Sequence, residues 1–136
     1  MWNNSNDIFR EMKGMQLLHT VNSGIRSLSV QAVLDMATLN GAEAFGLGEE
    51  TGSIEVGRCA DLILINTEQA HLTPLRLGKH EKIASSVVYN ATGRDVSDVF
   101  VNGSQVVERG TLMTADLADI RARVTETSAK VAAALN

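Results

Sequence analysis

The sequence is poor in cysteine, proline and aromatic residues. Its 136 residues include one cysteine, one proline, three Phe, one Tyr and one Trp. The single cysteine, Cys59, excludes an internal disulfide framework and fits a reducing compartment. No apolar run approaches the length of a membrane span, and no basic segment followed by an apolar stretch opens the chain. We therefore expect a soluble, cytoplasmic protein with no membrane partner.

Charge of one sign is not concentrated anywhere in the chain. Twelve Lys and Arg residues are interspersed with sixteen Asp and Glu residues, which gives a net charge of −4. Nucleic-acid-binding domains commonly carry a basic patch or aromatic side chains on which bases stack. The sequence has neither feature, so we expect no nucleic-acid partner.

Apolar spacing predicts helices at both ends of the chain. Residues 5–20 form one, with Ser5 or Asn6 as cap, and 30–40 form a second, with Ser29 as cap. Residues 114–135 form the last, with Thr114 as cap. The first helix has a stripe of Ile8, Met12, Met15 and Leu18. The second has Val30, Val33, Leu34 and Ala37, and the last has Leu117, Ile120, Val124, Val131 and Leu135.

Strand patterns lie between these helices. The apolar run 62–65 and the segment 85–91 are predicted strands, and residues 67–84 are predicted to be a loop. Asn102-Gly103 separates two apolar runs, which is a strong hairpin signal because both residue types tolerate positive φ. So few strands would leave unpaired sheet edges in an independent unit.

Candidate catalytic residues are scattered. His19, His71 and His80 do not have metal-ligand spacing, so we interpret them as structural or exposed. Cys59 fits a small apolar filler better than a nucleophile. Asp61 stands at the start of an apolar strand, where a charge needs a backbone donor, and is expected to tie down the preceding turn.

Glycines 46, 48 and 52 have neither dinucleotide-fingerprint nor P-loop spacing. We assign them to turns, with Gly46 and Gly48 at helix ends in positive φ. The residues alone therefore define no catalytic site.

Several motifs, taken in order, carry a family resemblance. The strongest, "GSIEVGRCADLILIN" at 52–66, resembles the C-terminal signature of the metal-dependent amidohydrolase superfamily. Similar matches are "LDMATLNGAEAFGL" at 34–47 and "SSVVYNATGRDVSDVFVNGSQVVERG" at 85–110. The segment "NNSNDIFREMK" at 3–13 resembles the S-adenosylhomocysteine and methylthioadenosine deaminases and the chlorotriazine hydrolases, and "HLTPL" at 71–75 favours the deaminases.

This resemblance implies a partial α/β fold. In the family, a (β/α)₈ barrel stands beside a small β-sandwich built from both chain ends. Residues 1–49 would be the last barrel helices, 50–112 the sandwich strands, and 113–136 a terminal helix that packs on the barrel. Gly52 and Gly57 would turn the chain from barrel to sandwich, and Asp61 would anchor the first returning strand.

The family's reaction is implied only for an intact enzyme. Such an enzyme would use zinc or iron to activate a water that displaces ammonia from an aminopurine nucleoside. The ligands are a His-x-His pair, two further histidines and an aspartate, and none of them maps onto this sequence. We expect no catalytic or metal-binding residue here, no cofactor in this chain alone, and no activity from it.

The resemblance places three residues near a substrate. Trp2, Asn3 and Asn4 would follow the eighth barrel strand and could line the edge of the pocket of a small-molecule substrate, although a helix-cap role for Asn3 and Asn4 is the stronger interpretation. Trp2 stands where many relatives have serine. The chain is expected to be a C-terminal fragment and a homo-oligomer. The alternatives are a simple truncation and a non-catalytic module that dimerises through its sheet edges.

Overall fold

The computed structural model describes residues 6–23, 28–75 and 80–135. Helices α1 (Ile8–Ser23), α2 (Val30–Ala37) and α3 (Leu39–Ala44) come first, followed by strand β1 (Leu62–Ile65). Helix α4 (His80–Asn90) precedes strands β2 (Val96–Val101), β3 (Ser104–Glu108) and β4 (Thr111–Leu112), and helix α5 (Leu117–Ala134) comes last. Short 3₁₀ turns span Ala70–Leu72 and Gly93–Asp95. The fold is mixed α/β.

The four strands form one antiparallel sheet in the order β1-β2-β3-β4. The predicted hairpin is confirmed: Val101 pairs with Ser104 across Asn102-Gly103, whose φ values are 47° and 77°. A second tight turn at Arg109-Gly110 has the same pair of φ values and joins β3 to β4. The predicted strand at 62–65 is also confirmed, and it forms one edge of the sheet.

The segment predicted as a strand at 85–91 is instead helical up to Asn90 and forms the second half of α4. Ala84 and Val88 of this helix and Ala91 just after it recur at helical spacing and are all buried. The β-branched pair at 87 and 88 suggested a strand, but burial of this stripe outweighs the local preference. The predicted loop at 67–84 is therefore wrong in part, because it contains a 3₁₀ turn and the start of α4.

The core lies among α1, α2 and α4. It contains Phe9, Met12, Val33, Leu72, Val88 and Ala91, with Ile65 and Val96 of the sheet packed against it. The predicted stripe of α2 is confirmed, since all four of its residues belong to or contact this core. The predicted stripe of α1 is not the buried one: Met12 is buried, but Ile8, Met15 and Leu18 are exposed.

The helix ends differ from the prediction in several details. Ser29 caps α2 as predicted, with its hydroxyl accepting from the N–H of Ala32 at 3.1 Å. Asp7 caps α1, and Asp116 rather than Thr114 caps α5. The predicted helix 30–40 breaks at Thr38, where α2 ends and α3 begins. Gly46 has positive φ as predicted, whereas Gly48 is not among the positive-φ residues of the described chain.

Candidate functional site

The residues predicted to border a substrate, Trp2, Asn3 and Asn4, lie outside the described residues. The described chain begins just after them. Here Asp7 accepts from the N–H of Phe9 at 3.0 Å and from the N–H of Gly93 at 3.3 Å. One carboxylate therefore caps α1 and also holds this end of the helix against the turn that precedes β2.

A second carboxylate, that of Asp95, organises the other side of this turn. Its side chain is 5% exposed. The Oδ2 atom accepts from His71 Nε2 at 2.9 Å, from the N–H of Thr92 at 2.8 Å and from the Thr92 hydroxyl at 3.0 Å. Burial acts to raise the pKa of Asp95, but the hydrogen bonds from His71 and Thr92 outweigh it and hold this pKa below its ordinary value.

The pair of His71 and Asp95 has the geometry of a structural clamp. An ionised carboxylate can only accept, so His71 must donate from Nε2. The bond joins the 3₁₀ turn that carries the buried Leu72 to the residue immediately before β2. The expectation that His71 is structural agrees with this arrangement.

Residues 46–61, here called the junction loop, connect α3 to β1. Gly52 has φ of +100°, and a Cβ placed there would lie 3.0 Å from both the Ala42 Cβ and the Leu39 Cα. The loop therefore needs glycine both for its conformation and for its close approach to α3. Arg58 donates to the carbonyls of Gly48 and Thr51, which closes the loop on itself.

Asp61 ends the junction loop and binds the tip of the hairpin. Its Oδ1 accepts from the N–H of Asn102 at 2.6 Å. That backbone hydrogen bond is the main reason that the pKa of Asp61 is lowered, and the Thr51 hydroxyl adds to the effect. Asp61 thus contacts the preceding loop through Thr51, as predicted, and it also anchors a turn 41 residues away.

An apolar groove of about 540 Å³ lies between α2, α3, the junction loop and β1. Phe45 and Ile54, two of its lining residues, are 86% and 87% exposed. The carboxylate of Asp61 also lines this groove, but its hydrogen bonds are already made with the chain itself. The groove is therefore mainly apolar and exposed, and its one carboxylate has hydrogen-bond donors from the chain itself.

The part of the chain that the structure describes does not fit a catalytic metal. Its His, Cys, Asp and Glu residues form no group of three that could hold an ion. His71 and Asp95 are in contact, but the Oδ2 atom of Asp95 is already used by three donors. Cys59 is half-buried. We therefore derive no catalytic step from these residues.

Residues 2–106 match the amidohydrolase family, and the chain belongs to that family. It is 36% identical over 130 residues to a 5-methylthioadenosine/S-adenosylhomocysteine deaminase of Syntrophomonas wolfei. The aligned region covers 95% of this chain and 29% of the relative. It is also 44% identical over 107 residues to a 5′-deoxyadenosine deaminase of Methanosarcina barkeri. That alignment covers 78% of this chain and 23% of the relative. The chain thus spans less than a third of the length of these curated relatives.

Solved structures show the same relationship. An adenosine deaminase from Xanthomonas campestris with bound zinc superposes with a TM-score of 0.84 at 28% identity, covering 93% of this chain and 28% of that one. A variant of atrazine chlorohydrolase from Arthrobacter aurescens, complexed with zinc and atraton, gives a TM-score of 0.72 at 26% identity, covering 87% and 25%. The family resemblance read from the sequence motifs is confirmed.

Two organising residues, Asp7 and Asp95, were missed at the sequence level. Asp7 stands two residues before a buried Phe9, in a position typical of a helix cap. Thr92 and Asp95 have the three-residue spacing of a capping box, and both of its hydrogen bonds are present. The contact of Asp95 with His71 had no sequence signal, because the two residues are 24 positions apart.

Proposed function

We propose that this chain forms the C-terminal part of an amidohydrolase that releases ammonia from an aminopurine nucleoside. The observation that carries the proposal is the family match over residues 2–106, together with relatives named as deaminases of methylthioadenosine, S-adenosylhomocysteine and 5′-deoxyadenosine. In this proposal the chain contributes structure, and the metal and its ligands belong to the rest of the enzyme. Zinc is the favoured metal, because two of the similar structures contain it.

Within that enzyme, residues 1–49 would supply the last helices of a (β/α)₈ barrel and residues 50–112 the strands of a β-sandwich. Helix α4 lies inside the second range, and its buried residue Val88 belongs to the core shared with α1 and α2. Residues 113–136 would form a helix that packs on the barrel. Trp2, Asn3 and Asn4 would border the substrate pocket.

The exposed apolar surface supports this division. The free faces of α1 and α2 carry Ile8, Met15 and Met36, and they border a cleft of about 190 Å³. No residue of α5 is buried against the described part of the chain. Neighbouring exposed apolar side chains often mark an interaction site, and further polypeptide of the same enzyme is the occupant we propose.

A chimera tests the proposal. The C-terminal part of the Syntrophomonas wolfei deaminase is replaced by this chain, and ammonia release from S-adenosylhomocysteine and 5′-deoxyadenosine is measured. We expect a soluble, active chimera, whereas the isolated 136-residue chain should bind no stoichiometric zinc and release no ammonia. A matched chimera carrying Val88→Asp should lose solubility and activity, because Val88 is fully buried.

Two results would contradict the proposal. One is turnover by the isolated chain with bound metal. The other is a soluble chimera with native metal content and no activity on either nucleoside, which would exclude this substrate class. A sharp dimer of the isolated chain, seen by sedimentation, would instead favour a dimerising module that pairs through the outer edge of β1.

A further inference from the structure

We propose that Asn102-Gly103 is a latent deamidation site, which the hydrogen bonds of the hairpin tip to residues 60 and 61 keep unreactive. Both residues of the pair are exposed, and glycine after asparagine leaves the reacting nitrogen unhindered by a side chain. The inference concerns modification of this chain itself and does not depend on the proposed function.

The reaction needs only water. The backbone nitrogen of Gly103 loses its proton and attacks the side-chain Cγ of Asn102. A new N–Cγ bond forms, the bond from Cγ to the amide nitrogen breaks, and ammonia leaves. Water then opens the resulting five-membered imide at either carbonyl, which gives aspartate or isoaspartate at position 102.

The structure holds the attacking nitrogen in place. The N–H of Gly103 donates to the carbonyl of Ala60 at 3.0 Å, so the proton that must leave is hydrogen-bonded. The N–H of Asn102 donates to Asp61 Oδ1 at 2.6 Å. Adjacent amides of the turn are thus fixed by adjacent residues of the junction loop.

Asp61 is the positioning residue in this arrangement. It does not touch the atoms that react, but its charge-assisted hydrogen bond to the neighbouring amide keeps the turn docked. Loss of that bond would free Gly103 from Ala60 and let the turn reach the geometry of attack.

The modification is irreversible, so each release of the hairpin that leads to it would change the turn permanently. Isoaspartate adds one backbone atom to the turn, so its two amides would no longer match the spacing of residues 60 and 61. Because β1 begins at Leu62 and pairs with Phe100, the mismatch falls directly beside the edge pairing of the sheet.

The test follows deamidation by mass spectrometry of tryptic peptides during incubation of the full chain in mildly alkaline buffer. Cleavage after Arg58, Arg94 and Arg109 places Asn102 and Asp61 on different peptides. Asn40-Gly41, which lies inside α3, is an internal reference for general unfolding. In the native chain we expect deamidation at position 102 to be about tenfold slower than in urea, a factor that one to two net hydrogen bonds provide.

Asp61→Ala should accelerate deamidation at position 102 about fivefold and leave the reference pair unchanged. The matched control is Asp119→Ala, which removes an exposed carboxylate of α5 that pairs with Arg123 at 3.8 Å, away from the hairpin. It should change neither rate. Amide hydrogen exchange provides a second readout, in which Gly103 should be protected in the native chain and lose protection in Asp61→Ala.

Three results would overturn the inference. They are equal deamidation rates at position 102 with and without urea, an unchanged rate in Asp61→Ala, and equal acceleration at both Asn-Gly pairs. The last result would show that Asp61→Ala unfolds the chain generally, without a specific release of the turn.

Discussion

At the scale of single residues, three carboxylates make the connections that hold distant segments together, and a fourth acts within the sheet. Asp7 joins α1 to the turn before β2, Asp95 joins that turn to His71, and Asp61 joins the junction loop to the hairpin. Asp98 accepts from Ser97, Gln105 and Arg109 within the sheet. These four carboxylates thus serve the architecture of the chain and are already hydrogen-bonded.

The clamp at Asp95 predicts a dependence of stability on pH. The folded chain lowers the pKa of Asp95 below its ordinary value of 3.8, so the folded state resists protonation. This contribution to the free energy of unfolding is complete above the ordinary pKa and is lost as pH falls through the folded pKa. Asp95→Asn should lower the free energy of unfolding near neutral pH by about 2 kcal/mol and flatten its dependence on pH below about 4.

Urea unfolding of both chains over a series of pH values checks this prediction. Asp119→Asn is the matched control, because Asp119 is exposed and pairs with Arg123 at 3.8 Å on the surface of α5. Its effect should stay within about 0.5 kcal/mol. Parallel pH profiles for the original chain and Asp95→Asn would show that Asp95 is not the titrating group.

The contacts of these carboxylates were the least predictable part of the site. Because Asp61 is a charged residue at the start of an apolar strand, the sequence predicts that it needs a hydrogen-bond donor. The hydroxyl of Thr51 in the preceding loop fits that expectation. The hairpin amide that it also binds is 41 positions away. Such a partner depends on how the whole chain packs, which local spacing does not encode.

At the scale of elements, packing decides where local patterns are ambiguous. The hairpin and β1 followed from turn chemistry and apolar runs, and these strands are observed. The second half of helix α4 was predicted as part of a strand at 85–91, since a short β-branched run fits either structure. The helical spacing of the buried residues 84, 88 and 91 becomes informative only when α1 and α2 are present to bury them.

The difference in burial between α4 and α5 predicts that two valines contribute unequally to the free energy of unfolding. Val88 of α4 is 0% exposed and lies in the core, whereas Val124 of α5 is 62% exposed. Val88→Ala should lower the free energy of unfolding of the isolated chain by about 2 kcal/mol, because it removes buried methyl groups and leaves a cavity. Val124→Ala should change it by less than about 0.5 kcal/mol.

Thermal and urea unfolding followed by circular dichroism measure both effects. The helical signal serves as the control for each variant, because alanine favours helix at both positions. Equal losses at the two positions would mean that α5 is packed in solution as firmly as α4.

At the scale of the whole molecule, the described part of the chain combines a small core with much exposed apolar surface. Among these residues six form the core cluster, while large apolar side chains remain exposed on α1, α2, the junction loop, β1 and α5. In the described residues, no helix has the length and apolar character needed to cross a bilayer. A covering layer of protein, as the proposed enzyme provides, accounts for these faces.

Phe45 gives the sharpest test of the proposed covering layer of protein. The same substitution should be mild in the isolated chain and costly in the chimera. In the isolated chain Phe45 is 86% exposed, so Phe45→Ser should leave the free energy of unfolding nearly unchanged and reduce binding of an apolar-surface dye. In the chimera with the Syntrophomonas wolfei deaminase, Phe45→Ser should lower the free energy of unfolding by about 3 kcal/mol.

Urea unfolding measures this loss. The matched substitution is Phe9→Ser, which should be costly in both the isolated chain and the chimera because Phe9 is buried. If Phe45→Ser were equally mild in the chimera, the groove would face solvent there too, and the proposed cover would have to be abandoned for this surface.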